Sequence, residues 1–186
     1  MTKYLTISLV ILALLAGIGI GYVITPQYAD ANMQSGHANG LGQADRSVDL
    51  RYLNAMISHH SLAMDLAEQA KNNSKRSEII KLAEDILKHE PAAIDELYSW
   101  KKDWYNDKKR SEKLDVPNLG SFDEKFDLRF LNALISHHRE GIEMTKEIRL
   151  KSTRLEVLNN ADEVEAFLEN STEMLSLWRS QWYLED

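Results

Sequence analysis

Asp49-Leu50-Arg51-Tyr52-Leu53-Asn54-Ala55-Met56-Ile57-Ser58-His59-His60 returns as Asp127-Leu128-Arg129-Phe130-Leu131-Asn132-Ala133-Leu134-Ile135-Ser136-His137-His138. Ten of the twelve positions are identical at a spacing of 78 residues. The same spacing, without a gap, pairs Arg76 with Arg154, Ala83 with Ala161, Trp100 with Trp178 and Trp104-Tyr105 with Trp182-Tyr183. An offset held over that distance marks a duplicated unit.

Each copy reads as two helices. Leu53, Met56, Ile57, His60, Met64 and Ala67 share one face at three-and-four spacing. Asn72-Asn73-Ser74 signals a turn. The second helix, to Tyr105, turns Ile79, Leu82, Ile86, Ile94, Leu97 and Trp100 inward, with a kink expected at Pro91. In the second copy Ser121 with Glu124 and Thr153 with Glu156 have capping-box spacing and mark helix starts. The stacked Trp positions near the helix ends read as core plugs. The basic run Lys101, Lys102, Lys108, Lys109 and Arg110 reads as a solvated helix end. From Arg46 onward the chain holds only Gly120 and Gly141 as glycines, so little interrupts helix. The expected fold is all-α: a four-helix bundle of two duplicated αα-hairpins, 47–107 and 123–186. The connector, 108–122, either crosses the bundle's length or turns at its end.

Leu5 to Ile24 is a run of twenty residues without a charge, about 30 Å as a helix, one hydrocarbon thickness. Residues 1–24 therefore read as a single-pass anchor in the cell membrane. The alternative is a signal segment cleaved near Ala29-Asp30-Ala31, giving a secreted or periplasmic protein. Residues 25–46, with Pro26, Gly36, Gly40 and Gly42, read as a flexible linker. The lone Lys3 stays inside, which places the bundle on the extracytoplasmic, periplasmic side.

Of the 186 residues 22 are Lys or Arg and 29 Asp or Glu, a net charge of -7, which argues against a nucleic-acid partner. The absence of Cys excludes disulfides and thiolate metal sites. Metal ligands must then be His, Met, carboxylate or backbone. Neighbouring helical residues point about 100° apart, so a His doublet sends its rings in different directions. His60 and His138 fall on the main apolar stripe and are expected to be the most inward. Burial would hold them neutral, with pKa values below about 6.5. His59 and His137 fall on an adjoining stripe. Met56 and Met64 lie one turn either side of His60, and Leu134 and Ile142 replace them in the second copy. Met144 follows His137 by seven residues. Imidazole and thioether without thiolate suit Cu(I). The candidate metal ligands are His59, His60, His137, His138, Met56, Met64 and Met144. Ser58 and Ser136 diverge from their His neighbours, so no nucleophile–base pair arises. No Glu-x-x-His, His-Glu-x-x-His or Gly-rich phosphate loop occurs on the predicted helices.

The phrase Leu53-x-x-Met56-Ile57-x-His59-His60, repeated with its Trp-ending second helix, resembles the domain of unknown function 305 family. The resemblance covers roughly Val48 to Trp182. It implies a ferritin-like four-helix fold, frequent export and, in some members, copper binding. The family's Met before the second His is matched by Met56 but not Leu134, and its Met after that His by Met144 but not Leu66. Its Gln, Glu and Met of the second helix correspond here to Glu90, Ala93 and Leu97, and to Leu168, Ser171 and Leu175. The expected function is extracytoplasmic, membrane-tethered binding of Cu(I), for buffering or delivery, by a protein that is not an enzyme. Two other readings stay open: a bundle that docks an unidentified protein partner in the envelope without a metal, and a metal-dependent redox enzyme.

Overall fold

The computed structural model describes residues 40–183. The Leu5–Ile24 run and residues 25–39 of the linker lie outside them. Among the described residues no helix is long and apolar enough to cross a membrane.

Four helices follow in order: α1 (Val48–Asn73), α2 (Ser77–Tyr105), α3 (Phe126–Arg149) and α4 (Leu155–Trp182). No strand occurs among the described residues. α1 pairs with α2, α3 pairs with α4, and the two hairpins meet through α1 and α3. The connector makes a full crossing. Ser111 donates to Asn54, Ser58 to the carbonyl of Glu112, and Gln69 to the carbonyl of Pro117. These partners climb α1 turn by turn, so α3 starts at the far end of α1 and runs antiparallel to it. One long crossover in an up-down-down-up bundle is the connectivity of ferritin-like folds.

The apolar residues gather at the two ends. At one end Leu41, Val48, Tyr52, Met56, Leu97, Ile148 and Val157 are buried together; at the other, Leu119, Ala70, Ile79, Phe126, Phe130 and Leu175. Duplication accounts for the symmetry. Arg154 pairs with Asp49 and lies 4.2 Å over the Trp104 ring, while Arg76 pairs with Asp127 and lies 4.1 Å over Trp182. The tryptophan pairs are stacked, with centroids 5.1 and 5.2 Å apart, against the end cores.

The repeat begins earlier than Asp49. Leu41-Gly42-x-x-Asp45 matches Leu119-Gly120-x-x-Asp123, and both stretches fold as clips. Arg51 Nε donates to the Leu41 carbonyl at 2.5 Å, and Arg129 Nε to the Leu119 carbonyl at 2.7 Å. The Leu41 N–H donates to Glu147 on α3, and the Leu119 N–H to Gln69 on α1. Each clip crosses to the other hairpin, and Gly42 and Gly120 take φ of 72° and 76°, which favours glycine. Residues 40–46, read from sequence as flexible linker, are thus fastened to the bundle.

The helix starts differ from the capping-box expectation. No N-cap side chain makes a capping bond. Instead Asp45 and Asp123 accept from the backbone two residues on, as do Ser74 and Ser152. These short Asx and Ser turns fix the chain entering each helix. α2 continues through Pro91, which stands exposed. Lys101 is not solvated: it is 1% exposed and donates to the carbonyl of Lys109 at 2.6 Å.

Candidate metal centre

Between the two apolar ends the four imidazoles cross the bundle in a row. His59 of α1 and His137 of α3 are stacked at the helix seam, with centroids 3.7 Å apart and planes 17° apart. His60 lies 6.0 Å from His59, and His138 lies 5.9 Å from His137. The first His of each doublet therefore faces the other hairpin and the second faces its own. His59 and His137 are 3% and 4% exposed. His138, at 5%, is as buried as these two, and His60 is partly exposed; the expectation that His60 and His138 are the most inward pair is corrected for His60, because α1 packs on α3 along the adjoining stripe.

His59 Nε2 lies 3.0 Å from the His137 carbonyl oxygen. A carbonyl only accepts, so Nε2 carries the proton and Nδ1 the lone pair. Room for this ring comes from Gly141. A Cβ there would stand 2.7 Å from His59 Nε2 and 2.4 Å from Leu168 Cδ1. The equivalent residue of the first copy is Ala63. A glycine in mid-helix costs about 1 kcal/mol relative to Ala, and that break in an otherwise helical pattern was the signal that sequence reading passed over.

The second histidines meet unlike surroundings. His60 Nδ1 lies 2.5 Å from Glu90 of α2. Burial opposes its charge, but the carboxylate's attraction and hydrogen bond outweigh burial and raise its pKa. This overturns the expected depression. His138 meets no such charge. Burial alone pushes its pKa down to about 3, as expected. Its ring stands edge-on to Phe167 at 6.4 Å, and Leu168 holds the position equivalent to Glu90. Glu90 had entered the sequence reading only as a departure from a family pattern. His60 Nε2 and His138 Nδ1 are buried and make no hydrogen bond.

The thioethers are dispersed. Met56 is fully buried and Met144 nearly so, both within the Leu41-end core. Met64, one turn beyond His60, is partly exposed. Among the described residues no three His, Asp or Glu side chains are grouped to hold one ion. The donors available are imidazole nitrogens in a row, one carboxylate at its His60 end, and thioethers of Met56 and Met144 toward the Leu41 end with Met64 on the other side of His60. Neutral imidazole and thioether are a donor set for soft ions, and sites with one or two imidazoles do not require a carboxylate cage.

Residues 49–124 match the family described as Domain of unknown function (DUF305), so the resemblance read from the first copy holds there. No curated protein matches the chain. Solved structures of CopM share the fold. The Cu(I)-bound form is 24% identical, with a TM-score of 0.65 over 73% of this chain and 97% of that one. The apo form gives 24% and 0.65, over 73% and 98%. The Cu(II)-bound form gives 23% and 0.61, over 73% and 97%.

Proposed function

We propose that this chain is a membrane-tethered, extracytoplasmic protein whose bundle binds a soft metal ion, Cu(I), and buffers it or hands it on, without catalysing a reaction. The observation that carries the reading is the pair of buried, unbonded nitrogens at His60 and His138. Leaving a polar atom so costs about 1–3 kcal/mol, and a ligated ion offsets that cost. His60, with Glu90 holding its Nδ1–H, presents Nε2 as the donor atom. A carboxylate so placed fixes the tautomer and raises ligand basicity. His138 is held neutral, the form that ligates. Met56 and Met64 flank His60 along α1, and Met144 belongs to the second copy's set. That CopM, which has the same fold, is solved with Cu(I) supports the choice of ion. The uncharged Leu5–Ile24 run supports the tether.

Metal analysis and anaerobic Cu(I) titration of residues 40–186, which keep the Leu41 clip, test the binding. At least one bound equivalent, weakening as pH falls and imidazole protonates, is the expected result. A second reading, a purely structural bundle, is favoured by the His59–His137 stack and the His60–Glu90 pair, and a fragment that binds no Cu(I) would establish it. For the tether, full-length protein should stay with membranes through an alkaline wash. A mature N-terminus at Asn32 in soluble protein would show cleavage instead.

A further inference from the structure

The two ends of the bundle are related by the repeat, yet their turns differ in one respect. The α3–α4 turn exposes Leu150 at 87% and Leu155 at 71%. The equivalent residues of the α1–α2 turn, at the opposite end, are Asn72 and Ser77. One copy of a duplicated corner has thus placed two leucines in water where the other keeps an amide and a hydroxyl. Folding does not call for them: at such exposure neither contributes to a core.

That corner is also where the chain outside the structure enters. Gly40 precedes Leu41, whose N–H is held by Glu147 of α3, and Lys151 of the same corner donates to the Gly42 carbonyl. The corner is rich in cations. Arg46, Lys151 and Arg154 line a cleft there with Asp45, Asp49 and Tyr105, the last residue of α2. Lys108, Lys109 and Arg110 follow that helix end and are exposed. The neighbouring acids Asp45, Asp49, Asp107 and Glu147 are each paired, with Arg51, Arg154, Lys101 and Lys151, which leaves the exposed Lys108, Lys109 and Arg110 in excess. The other end has an exposed aromatic, Phe122, but Lys75 lies over its ring at 5.6 Å.

We propose that the Leu150–Leu155 corner is a membrane-docking surface: the two leucines enter the interface of an anionic bilayer while the surrounding cations meet its headgroups. Apolar side chains rimmed by Lys and Arg are the composition that binds such interfaces. Fifteen residues, 25–39, separate the uncharged run from Gly40, at most about 50 Å when extended. A bundle tethered at this end is presented to the bilayer corner first. The proposal rests on the tether reading for that proximity alone.

The chain has no Cys, so one can be introduced for a fluorophore. Thr153, between the leucines, and Lys75, its counterpart in the first copy, are both exposed. Full-length Thr153→Cys and Lys75→Cys proteins, labelled and reconstituted in phosphatidylglycerol-containing vesicles with brominated acyl chains, give the readout. The label at 153 should be quenched and blue-shifted, and that at 75 should not. Replacing Leu150 with Asn and Leu155 with Ser, the first copy's own residues, should abolish the quenching at 153. Equal quenching at 153 and 75, or quenching that survives the double replacement, overturns the proposal. So does a label at 153 that shifts with protein concentration in detergent, which would make the corner a contact between copies. An alkaline wash of the same vesicles scores the tether separately. Protein retained but unquenched at 153 refutes docking alone; protein washed off yet quenched beforehand refutes the tether alone.

Discussion

His60 and His138 occupy the same place in the two copies and behave as opposites. His60 faces Glu90, and the carboxylate raises its pKa against the pull of burial. His138 faces Phe167 and a leucine position, and burial takes its pKa down to about 3. The backbone is common to both. One residue on the second helix of each hairpin, Glu90 or Leu168, decides whether the pKa of the buried ring is raised or lowered. A duplicated fold therefore offers two unlike imidazoles, one with its tautomer fixed by a carboxylate and one held neutral by an apolar wall.

The largest expected effect is the acid sensitivity of the second copy. The folded pKa of His138 lies below the unfolded 6.5, so its contribution to stability is full above 6.5. That contribution falls as pH drops from there toward 3. The loss amounts to roughly 2 kcal/mol by pH 5 and on the order of 4–5 kcal/mol at full protonation. Urea unfolding of the wild type and of His138→Leu at pH 7 and pH 5 isolates it: the variant should lose less stability between the two. Equal losses would show that His138 is not held neutral.

Next comes Glu90→Leu, which gives His60 the second copy's environment. The folded pKa of His60 is raised, so the pair's stabilisation is complete below 6.5 and is lost as pH rises through the folded value. The variant should lose about 1–3 kcal/mol where the pair is charged, through the unbonded Nδ1. It should also destabilise more steeply than the wild type between pH 7 and pH 5, since His60 then resists protonation. An unchanged pH slope would contradict the role given to Glu90.

The smallest effect tests the seam between the copies. Gly141→Ala gives the second copy the first copy's residue. Better helix propensity, worth about 1 kcal/mol, opposes overpacking of about 1–3 kcal/mol against His59 and Leu168. A net loss near 1 kcal/mol is expected, with a change in the His59 and His137 ring resonances by NMR. Unaltered resonances would mean that Gly141 does not position His59.

Much of the fold is legible in the sequence because duplication writes it twice. The offset of 78 residues gives the two hairpins, their helices and the placement of the doublets at one level. The clips were harder to see: Leu41-Gly42 and Leu119-Gly120 share only a few side chains, and their bonds run through backbone atoms. Which His faces the seam was not legible, because each doublet straddles two stripes and the choice belongs to the packing of α1 on α3. Nor was the upward shift of the His60 pKa, since it depends on a residue thirty positions away on another helix. The copies agree wherever the backbone is being built and diverge at Glu90 and Leu168, at Ala63 and Gly141, and at the α1–α2 and α3–α4 turns.

The most direct test of the central claim is anaerobic Cu(I) titration of residues 40–186, as wild type and as the His60→Ala, His138→Ala double variant, with helical content followed by circular dichroism. The double variant is expected to keep its helices and lose most of its Cu(I) affinity, since the His60 Nε2 and His138 Nδ1 donors are gone. A folded double variant that binds Cu(I) as tightly as the wild type would contradict the claim.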